Sequence, residues 1–350
     1  MRDDDDEREG RADDPLSLEL DKGWELLTKK NDLEGARISA AAAAALDPLS
    51  AEVETLFGAI AAAAGDHDAA LERYQKAMKL DREYVLPMLY AAEILLWPNE
   101  EYEDALELID RALEAADDEE DYLDALLLKA EALLDMGTEA DEIREVLEEL
   151  PPSALPDPHL HVRAAQLYMD LEMVDEAEEH FKQAIEMDAD HADAYHGLGI
   201  VYEEREDTRG MVKAFMRVRE LDLDAPPVAW TMTQDEFEKV AEDALGELPE
   251  RIRELLGNVP IVAADYPSIE IVAEGNDPRM LGFFSGVPYP EKSNLGGTPH
   301  LDCVFLYQKN IERMCRNKAE AEKEVRTTLL HETGHFFGLS EEELEAMGLG

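Results

Sequence analysis

The sequence predicts an all-α solenoid of repeated helix pairs, followed by a small α+β domain. Residues from about 16 to 225 have helical periodicity and repeat with a period near 34. Strand-like segments appear only after this region has ended at Pro226 and Pro227. With 350 residues, the chain is long enough for two ordinary domains. We therefore expect a repeat array over 15–225 and a second domain over 226–350.

The repeat is visible in aligned small and apolar residues. The first set recurs at intervals of 34, 35, 38, 34 and 34, at Ala36, Ala70, Ala105, Ile143, Ala177 and Met211. Four residues after each stands an apolar residue, which in order is Ala40, Tyr74, Ile109, Leu147, Phe181 and Phe215. A small residue lets two helices cross closely, and a larger one a turn later fills the groove beside it. Six helix pairs that stack on their neighbours are therefore predicted.

This region resembles the tetratricopeptide repeat. The two best copies are AAQLYMDLEMVDEAEEHFKQAIEMD and GLGIVYEEREDTRGMVKAFMRVREL, whereas the first and fourth copies are degenerate. The resemblance implies a solenoid that binds a protein or a peptide on its concave face. It does not identify that partner.

The second domain mixes helices and strands. Residues 233–256 predict two short helices separated near Pro249. The later elements are predicted as strands over 261–265, 268–274 and 300–308, a loop over 275–299, and a helix over 317–337.

The predicted last helix carries the pattern H-E-x-x-H as His331, Glu332 and His335. Two histidines four residues apart lie on one face of a helix, where their imidazoles can hold one Zn²⁺ ion. The adjacent glutamate is then placed to act as general base. His331 and His335 are therefore the candidate metal ligands, and Glu332 is the candidate catalytic residue.

A third ligand is expected shortly after the helix. Gly338 predicts a sharp turn, and Glu341 then occupies the third-ligand position of the extended pattern H-E-x-x-H-x-x-G-x-x-ligand. Other carboxylates are alternatives, namely Glu342, Glu343 and Glu345. A different interpretation is that Ser340 caps a new helix and forms a capping box with Glu343, which leaves Glu341 at the helix start.

The C-terminal domain resembles a small bacterial zincin-like metallopeptidase family. The resemblance rests on four segments in order, FEKVAEDALGELPERIRELLGNVPIVAADYP, LGFFSGVPYPEKS, VFLYQKNIER and EVRTTLLHETGHFFGLSEEEL. It implies a zinc-dependent peptidase fold in which His331 and His335 are ligands and Glu332 is the base. Glu341 falls where the better-known metzincins have His, and no Met-turn follows it.

Two further polar residues are candidates for stabilising the oxyanion. Tyr307 and His300 lie in or beside the strand predicted over 300–308. The simpler interpretations are a core position for Tyr307 and a surface position for His300. The same strand is a candidate edge on which an extended peptide lies.

Charge limits the partners. With 84 acidic and 32 basic residues, the formal net charge is −52, which argues against binding to nucleic acid or to an anionic membrane surface. Basic proteins or peptides are favoured as partners, and an equally good interpretation is a salt or solubility adaptation of the whole surface. Residues 1–14 are mostly charged and are predicted to be a disordered acidic tail.

The cysteines and the N-terminus predict a cytoplasmic location. Only Cys303 and Cys315 are present, and they do not form a C-x-x-C pair, so a reducing compartment is expected. The first residues, MRDDDDEREGRADD, have no apolar stretch of the kind that a secretory signal needs.

Two functions are predicted from different classes. The first is a zinc metallopeptidase whose repeat array docks protein substrates or partners. The second is a non-catalytic adaptor with a metal-stabilised zincin-like module. Glu332 favours the enzyme, because an adaptor needs the two histidines but not the base. A role in metal sensing or storage has little support, since no D-x-D-x-D-G loop is present.

Overall fold

The structure is a computed structural model that describes residues 14–97, 99–151, 155–228, 230–247, 250–256, 259–286, 302–340 and 343–344. It consists of two compact units, Met1–Ala189 and Asp190–Gly350. Within the described ranges, no helix is long and apolar enough to cross a membrane.

The first unit is a stack of antiparallel helix pairs. Its described helices are α1 (Pro15–Thr28), α2 (Leu33–Leu46), α3 (Ala51–Ala63), α4 (His67–Leu80), α5 (Leu86–Leu96), α6 (Tyr102–Ala115), α7 (Glu119–Asp135), α8 (Ala140–Leu147), α9 (Pro158–Asp170) and α10 (Val174–Met187). Several begin at an aspartate whose carboxylate accepts a hydrogen bond from the first turn, as Asp32 does from the Gly35 N–H at 2.9 Å. The predicted repeated helix pairs are confirmed.

The aligned residues of the repeat form the interior of the stack. In the first unit, Ala36, Ala70, Ala105 and Ala177 are fully buried in the second helix of their pairs. The residues one turn later fill the adjacent space, and Tyr74 and Phe181 are among the largest fully buried side chains. The 34-residue period thus reflects one buried contact repeated in every pair.

The second unit contains one further helix pair and the α+β region. Its described elements are α11 (Ala192–Glu204), α12 (Thr208–Asp224), α13 (Gln234–Glu247), α14 (Glu250–Leu256), β1 (Ile261–Ala264), α15 (Ile269–Ala273), β2 (Gly282–Ser285), β3 (Cys303–Tyr307), α16 (Gln308–Met314) and α17 (Lys318–Phe336). The helices predicted over 233–256 and 317–337 are confirmed within a residue or two.

The three strands form one small sheet in the order β1-β3-β2. β1 pairs with β3 in parallel, and β2 pairs with β3 antiparallel. Helices α13 and α17 pack against the sheet through a core that includes Phe237, Leu306, Ile311 and Val325. The strand predicted over 300–308 is therefore the centre of the sheet and not its edge, so the expectation of an edge strand there is wrong.

Two local predictions in the second unit are also wrong. Residues 268–274 form the short helix α15 and not a strand, because the Ser268 hydroxyl accepts a hydrogen bond from the Ile271 N–H and Val272 packs in the core. The predicted loop 275–299 contains the short strand β2, because its residues 282–285 pair with β3 within a segment that is otherwise rich in Gly, Pro and Asn.

The sixth helix pair, α11 and α12, belongs to the second compact unit. Its two helices pack on each other where Phe215 lies against Gly199, as the repeat pattern requires. The domain boundary expected at residues 225 and 226 stays a prediction about independent folding. Of the predicted tail 1–14, only Asp14 lies within the described residues, where it begins α1.

Candidate metal centre

Helix α17 positions the H-E-x-x-H residues. It begins after Asn317, whose side chain accepts a hydrogen bond from the Glu320 N–H at 3.1 Å. It ends with a left-handed Gly338, at φ 80°, and the Leu339 N–H donates to the Gly334 carbonyl at 3.1 Å. This is the six-to-one hydrogen bond of a Schellman C-cap. The turn predicted at Gly338 is confirmed.

The imidazole rings of His331 and His335 turn their Nε2 atoms toward each other. The Nε2 atoms of His331 and His335 are 2.9 Å apart, and their rings meet edge to face with centroids 4.6 Å apart. Nδ1 of His335 lies 3.3 Å from the Leu339 carbonyl oxygen. Because a carbonyl only accepts, Nδ1 is the donor in this contact, and the Nε2 atom of His335 faces His331.

Glu332 lies beside this pair and is buried, at 6% exposure. A small residue on β2 makes room for it. A Cβ atom added to Gly282 would lie 2.8 Å from Cγ of Glu332 and 2.7 Å from Cγ2 of Thr328. The absent side chain of Gly282 therefore allows the strand to approach α17 at the carboxylate.

His331, Glu332 and His335 all line one cavity of about 570 Å³. One side is a stripe along α17, formed by Glu324, Thr327, Thr328, His331, Glu332 and His335. The other side is β2 with the segment before it, formed by Asn276, Asp277, Met280, Leu281, Gly282, Phe283 and Phe284. The cavity thus joins a polar helix face to a largely apolar strand.

Strand β2 is an edge of the sheet as far as the described strands go. The Tyr307 N–H of β3 donates to the Leu281 carbonyl, and the register pairs Phe283 with Phe305. Hydrogen-bonding direction alternates along an antiparallel strand, so Gly282 and Phe284 turn their main-chain groups away from β3. Among the described strands, none pairs with these groups.

Most candidates for the third ligand lie beyond the described residues. Glu341, Glu342 and Glu345 lie outside the described residues, and among the described ones no three His, Cys, Asp or Glu side chains form a metal-binding group. Glu343 is described, and its Oε2 accepts a hydrogen bond from the Ser340 N–H at 2.9 Å. The Glu343 N–H in turn donates to the Ser340 hydroxyl at 3.3 Å. The capping box predicted for Ser340 and Glu343 is confirmed.

The described residues fit part of a zinc site. Two bonds of about 2.0–2.1 Å in a tetrahedral arrangement separate their nitrogens by about 3.3 Å. The observed 2.9 Å is close to that separation. The carbonyl contact of His335 is also of the kind that orients metal-binding imidazoles. The pair therefore supplies two suitable nitrogen donors, and at least one more protein ligand is needed.

The two oxyanion candidates gain no support. Tyr307 is 1% exposed, and its hydroxyl is one of the buried polar atoms for which the described structure gives no hydrogen-bond partner. Burial, followed by the charge of Glu332, raises the pKa of Tyr307 above its ordinary range. Tyr307 is not among the described cavity-lining residues, so its role stays a prediction. His300 lies outside the described residues.

Sequence reasoning missed several cavity residues. Thr328 and Glu324 precede His331 by three and seven residues, so helical spacing places them on the same face. That signal was available in the sequence. Gly282 and Asp277 gave no such signal, because their positions depend on the pairing of a strand that was predicted as a loop.

Comparison with protein families supports both resemblances. Residues 256–350 match the zincin-like metallopeptidase family. Residues 90–157 and 158–191 match two tetratricopeptide-repeat families. The chain thus contains tetratricopeptide repeats and a zincin-like metallopeptidase domain, as its sequence indicated. No protein of curated function matches it.

Solved structures also resemble part of the chain, at sequence identities of 18–20% for the following three. PilF of Pseudomonas aeruginosa is 18% identical, with a TM-score of 0.45, 62% of this chain covered and 95% of that one. YrrB, described as a TPR protein with an unusual peptide-binding site, is 20% identical, with a TM-score of 0.36 and coverages of 53% and 93%. Cut9–Hcn1 of the APC/C is 18% identical, with a TM-score of 0.47 and coverages of 60% and 40%.

Proposed function

We propose that this protein is a zinc-dependent metallopeptidase whose repeat array docks protein substrates or partners. The observation that carries the proposal is the cavity in which two converging imidazoles stand beside a buried glutamate. The match of residues 256–350 to zincin-like metallopeptidases supports the same reaction class.

His331 and His335 would hold the zinc ion through their Nε2 atoms, with Glu341 as the proposed third ligand. When bound, zinc supplies Lewis acidity, which lowers the pKa of water to about 7 and polarises a carbonyl group. The Leu339 carbonyl would keep His335 in the tautomer that presents Nε2 to the metal.

Glu332 is the proposed general base. Its carboxylate accepts a proton from the water that attacks the peptide carbonyl carbon, and the same proton passes to the leaving amine nitrogen as the C–N bond breaks. The base must keep a fixed position within reach of that water. Burial against Gly282 and Thr328 provides this, because it leaves the side chain few alternative conformations.

The proposed substrate is an extended peptide segment that lies along β2. Main-chain groups of Gly282 and Phe284 turn outward from the sheet, where no described strand pairs with them, and an added strand would hydrogen-bond to them there. The cavity between β2 and α17 would then place a peptide bond between the strand and the histidine pair. Main-chain recognition of this kind favours flexible or unfolded segments over folded ones.

Basic segments are the proposed preference. Glu324 lines the cavity on the α17 side and Asp277 lines it on the β2 side, and the whole chain carries a formal charge of −52. Glu324 stands seven residues before His331, or about 10 Å along the helix axis. An extended chain covers that distance in about three residues. A Lys or Arg about three residues from the scissile bond would therefore meet Glu324.

The cellular setting is proposed to be the cytoplasm. Cys303 and Cys315 are both free, as a reducing compartment requires. The array, which contains tetratricopeptide repeats, would there dock protein partners, and nucleic acid and membranes are disfavoured by charge.

The alternative is an adaptor with a metal-stabilised zincin-like module. The buried Glu332 argues for the enzyme, because a purely structural metal site gains nothing from a carboxylate held inside a cavity. The test is cleavage of a broad peptide library by the full chain and by its Glu332→Gln variant, with zinc content measured in both. We expect the variant to keep zinc and to lose about a hundredfold or more in turnover.

Two results would count against this proposal. If the variant cleaves as fast as the parent, Glu332 is not the base. If the zinc-loaded parent cleaves nothing in the library, the adaptor interpretation is favoured.

A further inference from the structure

One wall of the cavity is held by the sixth helix pair. Residues 276–281, called the wall segment below, precede β2, and four of them line the cavity, namely Asn276, Asp277, Met280 and Leu281. Segments that shape a peptide cleft need a fixed position, because a displacement of about 1 Å in a bound substrate can cost about a hundredfold in rate.

Two side chains of helix α11, His196 and Asp193, form hydrogen bonds with the wall segment. Nε2 of His196 is 2.9 Å from Oδ2 of Asp277, and Nη1 of Arg279 donates to Oδ1 of Asp193 at 2.6 Å. The Arg279 N–H also donates to Asp277 at 2.7 Å, which closes a tight turn between the two contacts. Burial is the largest single effect and opposes ionisation of Asp277. The hydrogen bond and charge of His196, together with the Arg279 N–H and guanidinium, outweigh it and hold the pKa of this carboxyl below its usual range.

Helix α12 adds a buried carboxylate. Asp222 is 3% exposed and accepts hydrogen bonds from Nε and Nη2 of Arg279 at 3.0 and 3.3 Å. Nη1 of Arg313, from α16, lies 2.6 Å from the same carboxylate. Asp222 therefore joins the wall segment to the α+β region through two guanidinium groups, which also balance its buried charge.

Asn310 of α16 holds the main chain of the wall segment. Its Nδ2 atom donates to the carbonyls of Pro278 and Met280 at 2.9 and 2.7 Å. Asn310 is 5% exposed, so these bonds are shielded from water. Side chains of α11, α12 and α16 thus all bond to the wall segment.

Other contacts bind the same helix pair to the α+β region. Val272 of α15 packs in a cluster with Met211 and Phe215. The Tyr266 hydroxyl donates to the Asp222 carbonyl at 2.9 Å, and Nε of Arg219 donates to the Pro267 carbonyl at 2.7 Å. This interface uses residues that the repeat pattern alone does not require.

We propose that α11 and α12 are a working part of the peptidase and that Asp193, His196 and Asp222 are positioning residues for the peptide cleft. They act through the wall segment and touch neither the histidine pair nor Glu332. Their role rests on the proposed function, since it concerns the cleft of that same site. We therefore expect that removing their contacts with the wall segment weakens peptide binding and leaves the metal centre intact.

The test is the double variant Asp193→Ala with His196→Ala in the full chain. Both side chains are partly exposed, with 56% and 22% of their area accessible, so the helix pair should still form. The matched control is Arg217→Ala, which removes surface ion pairs to Asp190 and Glu220 on the same helix pair and leaves the wall segment untouched.

In the double variant we expect KM for a cleaved peptide to rise about three- to tenfold, as the loss of two partly exposed polar contacts implies. Turnover at saturation and zinc content should stay within about twofold of the parent, because helix α17 is unchanged. Hydrogen exchange of amides in 276–286 should accelerate in the double variant alone. The control should match the parent in all three measurements.

Unchanged exchange and unchanged KM in the double variant would overturn the proposal. Exchange and zinc content do not depend on activity, so the proposal about the wall segment is separable from the proposed reaction. If the wall segment loosens but the parent cleaves no peptide, the peptidase proposal fails and the positioning of the wall stands. If the parent cleaves peptides and the double variant behaves as the control does, the positioning role fails alone.

Discussion

Each unit contains a pair of histidines in contact, and the two pairs differ in what surrounds them. In the first unit, the Nδ1 atoms of His161 and His180 are 3.0 Å apart, and the residues are only 1% and 6% exposed. In the second, the Nε2 atoms of His331 and His335 are 2.9 Å apart and face a cavity that also contains Glu332. A short distance between two imidazoles therefore does not distinguish the two pairs, whereas the cavity and its carboxylate do.

The first pair joins two helices of the stack. His161 lies on α9 and His180 on α10, and the ring of Tyr168 is 5.3 Å from that of His180. Burial, and then the neighbouring His161, lower the pKa of His180 to about 4. This pair is thus held neutral within the packing of one helix pair, whereas the second pair opens to a space where a metal and a substrate can enter.

The largest expected effect comes from filling the space between Gly282 and Glu332, beside the second histidine pair. Gly282→Ala would force a Cβ atom against Glu332 and Thr328, so we expect turnover to fall by about a hundredfold, as a misplaced base implies. The matched control is Gly246→Ala on α13, where an added Cβ meets nothing within 4 Å. Steady-state kinetics of both variants check this. An unimpaired Gly282→Ala enzyme would show that the close approach of β2 does not position the base.

A smaller effect is expected at the third ligand. If Glu341 completes the site, Glu341→Ala should weaken zinc binding by about tenfold or more, the cost expected even of a lost contact to a ligand. Competition against a zinc chelator measures this. Glu343→Ala is the matched control, because that carboxylate already caps Ser340. Unchanged affinity at 341, with a large loss at 342 or 345, would move the ligand to that position.

The first histidine pair should make the stability of the fold depend on pH. His180 has a folded pKa near 4, below its ordinary value of 6.5, so the unfolded chain binds more protons between these values. Its contribution to stability is fully present above about pH 6.5 and is lost as pH falls toward 4, by about 3 kcal/mol at most. Thermal unfolding between pH 7 and 4.5 measures this for the parent and for His180→Gln. If both lose stability in parallel, the histidine pair is not the cause and the many carboxylates are.

The smallest effect concerns substrate charge. Glu324→Gln removes a cavity carboxylate two turns from the histidines and keeps the size of the side chain. We expect the preference for Lys or Arg about three residues from the scissile bond to fall by about threefold, a typical value for a partly exposed pair. A positional peptide library measures it. A library with no basic preference in the parent would remove the proposed charge selectivity.

Local spacing predicted much of this molecule from sequence. The small residues of the repeat and the histidines of α17 are both set by helical periodicity, and each lies where the period places it. The capping box at Ser340 and the turn at Gly338 are equally local, since their hydrogen bonds join residues a few positions apart. Such features need no knowledge of the rest of the chain.

Features that depend on distant pairing were not predicted. β2 is only four residues long and lies in a segment rich in Gly, Pro and Asn. Its pairing with β3 could not be seen locally, so both Gly282 and the edge position of β2 among the described strands were missed. The segment 268–274 alternates as a strand does, but Val272 packs against helix α12 and the Ser268 cap favours a helix. The hydrogen bond from Arg279 to Asp222 joins residues 57 positions apart, and no local sequence pattern predicts it.

The most direct test of the difference between the two histidine pairs is zinc stoichiometry. The parent chain, His331→Ala with His335→Ala, and His161→Gln with His180→Gln would each be equilibrated with zinc, dialysed and analysed for bound metal. We predict about one zinc per chain in the parent and in the variant of the first pair, and none in the variant of the second pair. Full zinc occupancy without His331 and His335, or its loss without His161 and His180, would contradict the assignment of the metal centre to helix α17.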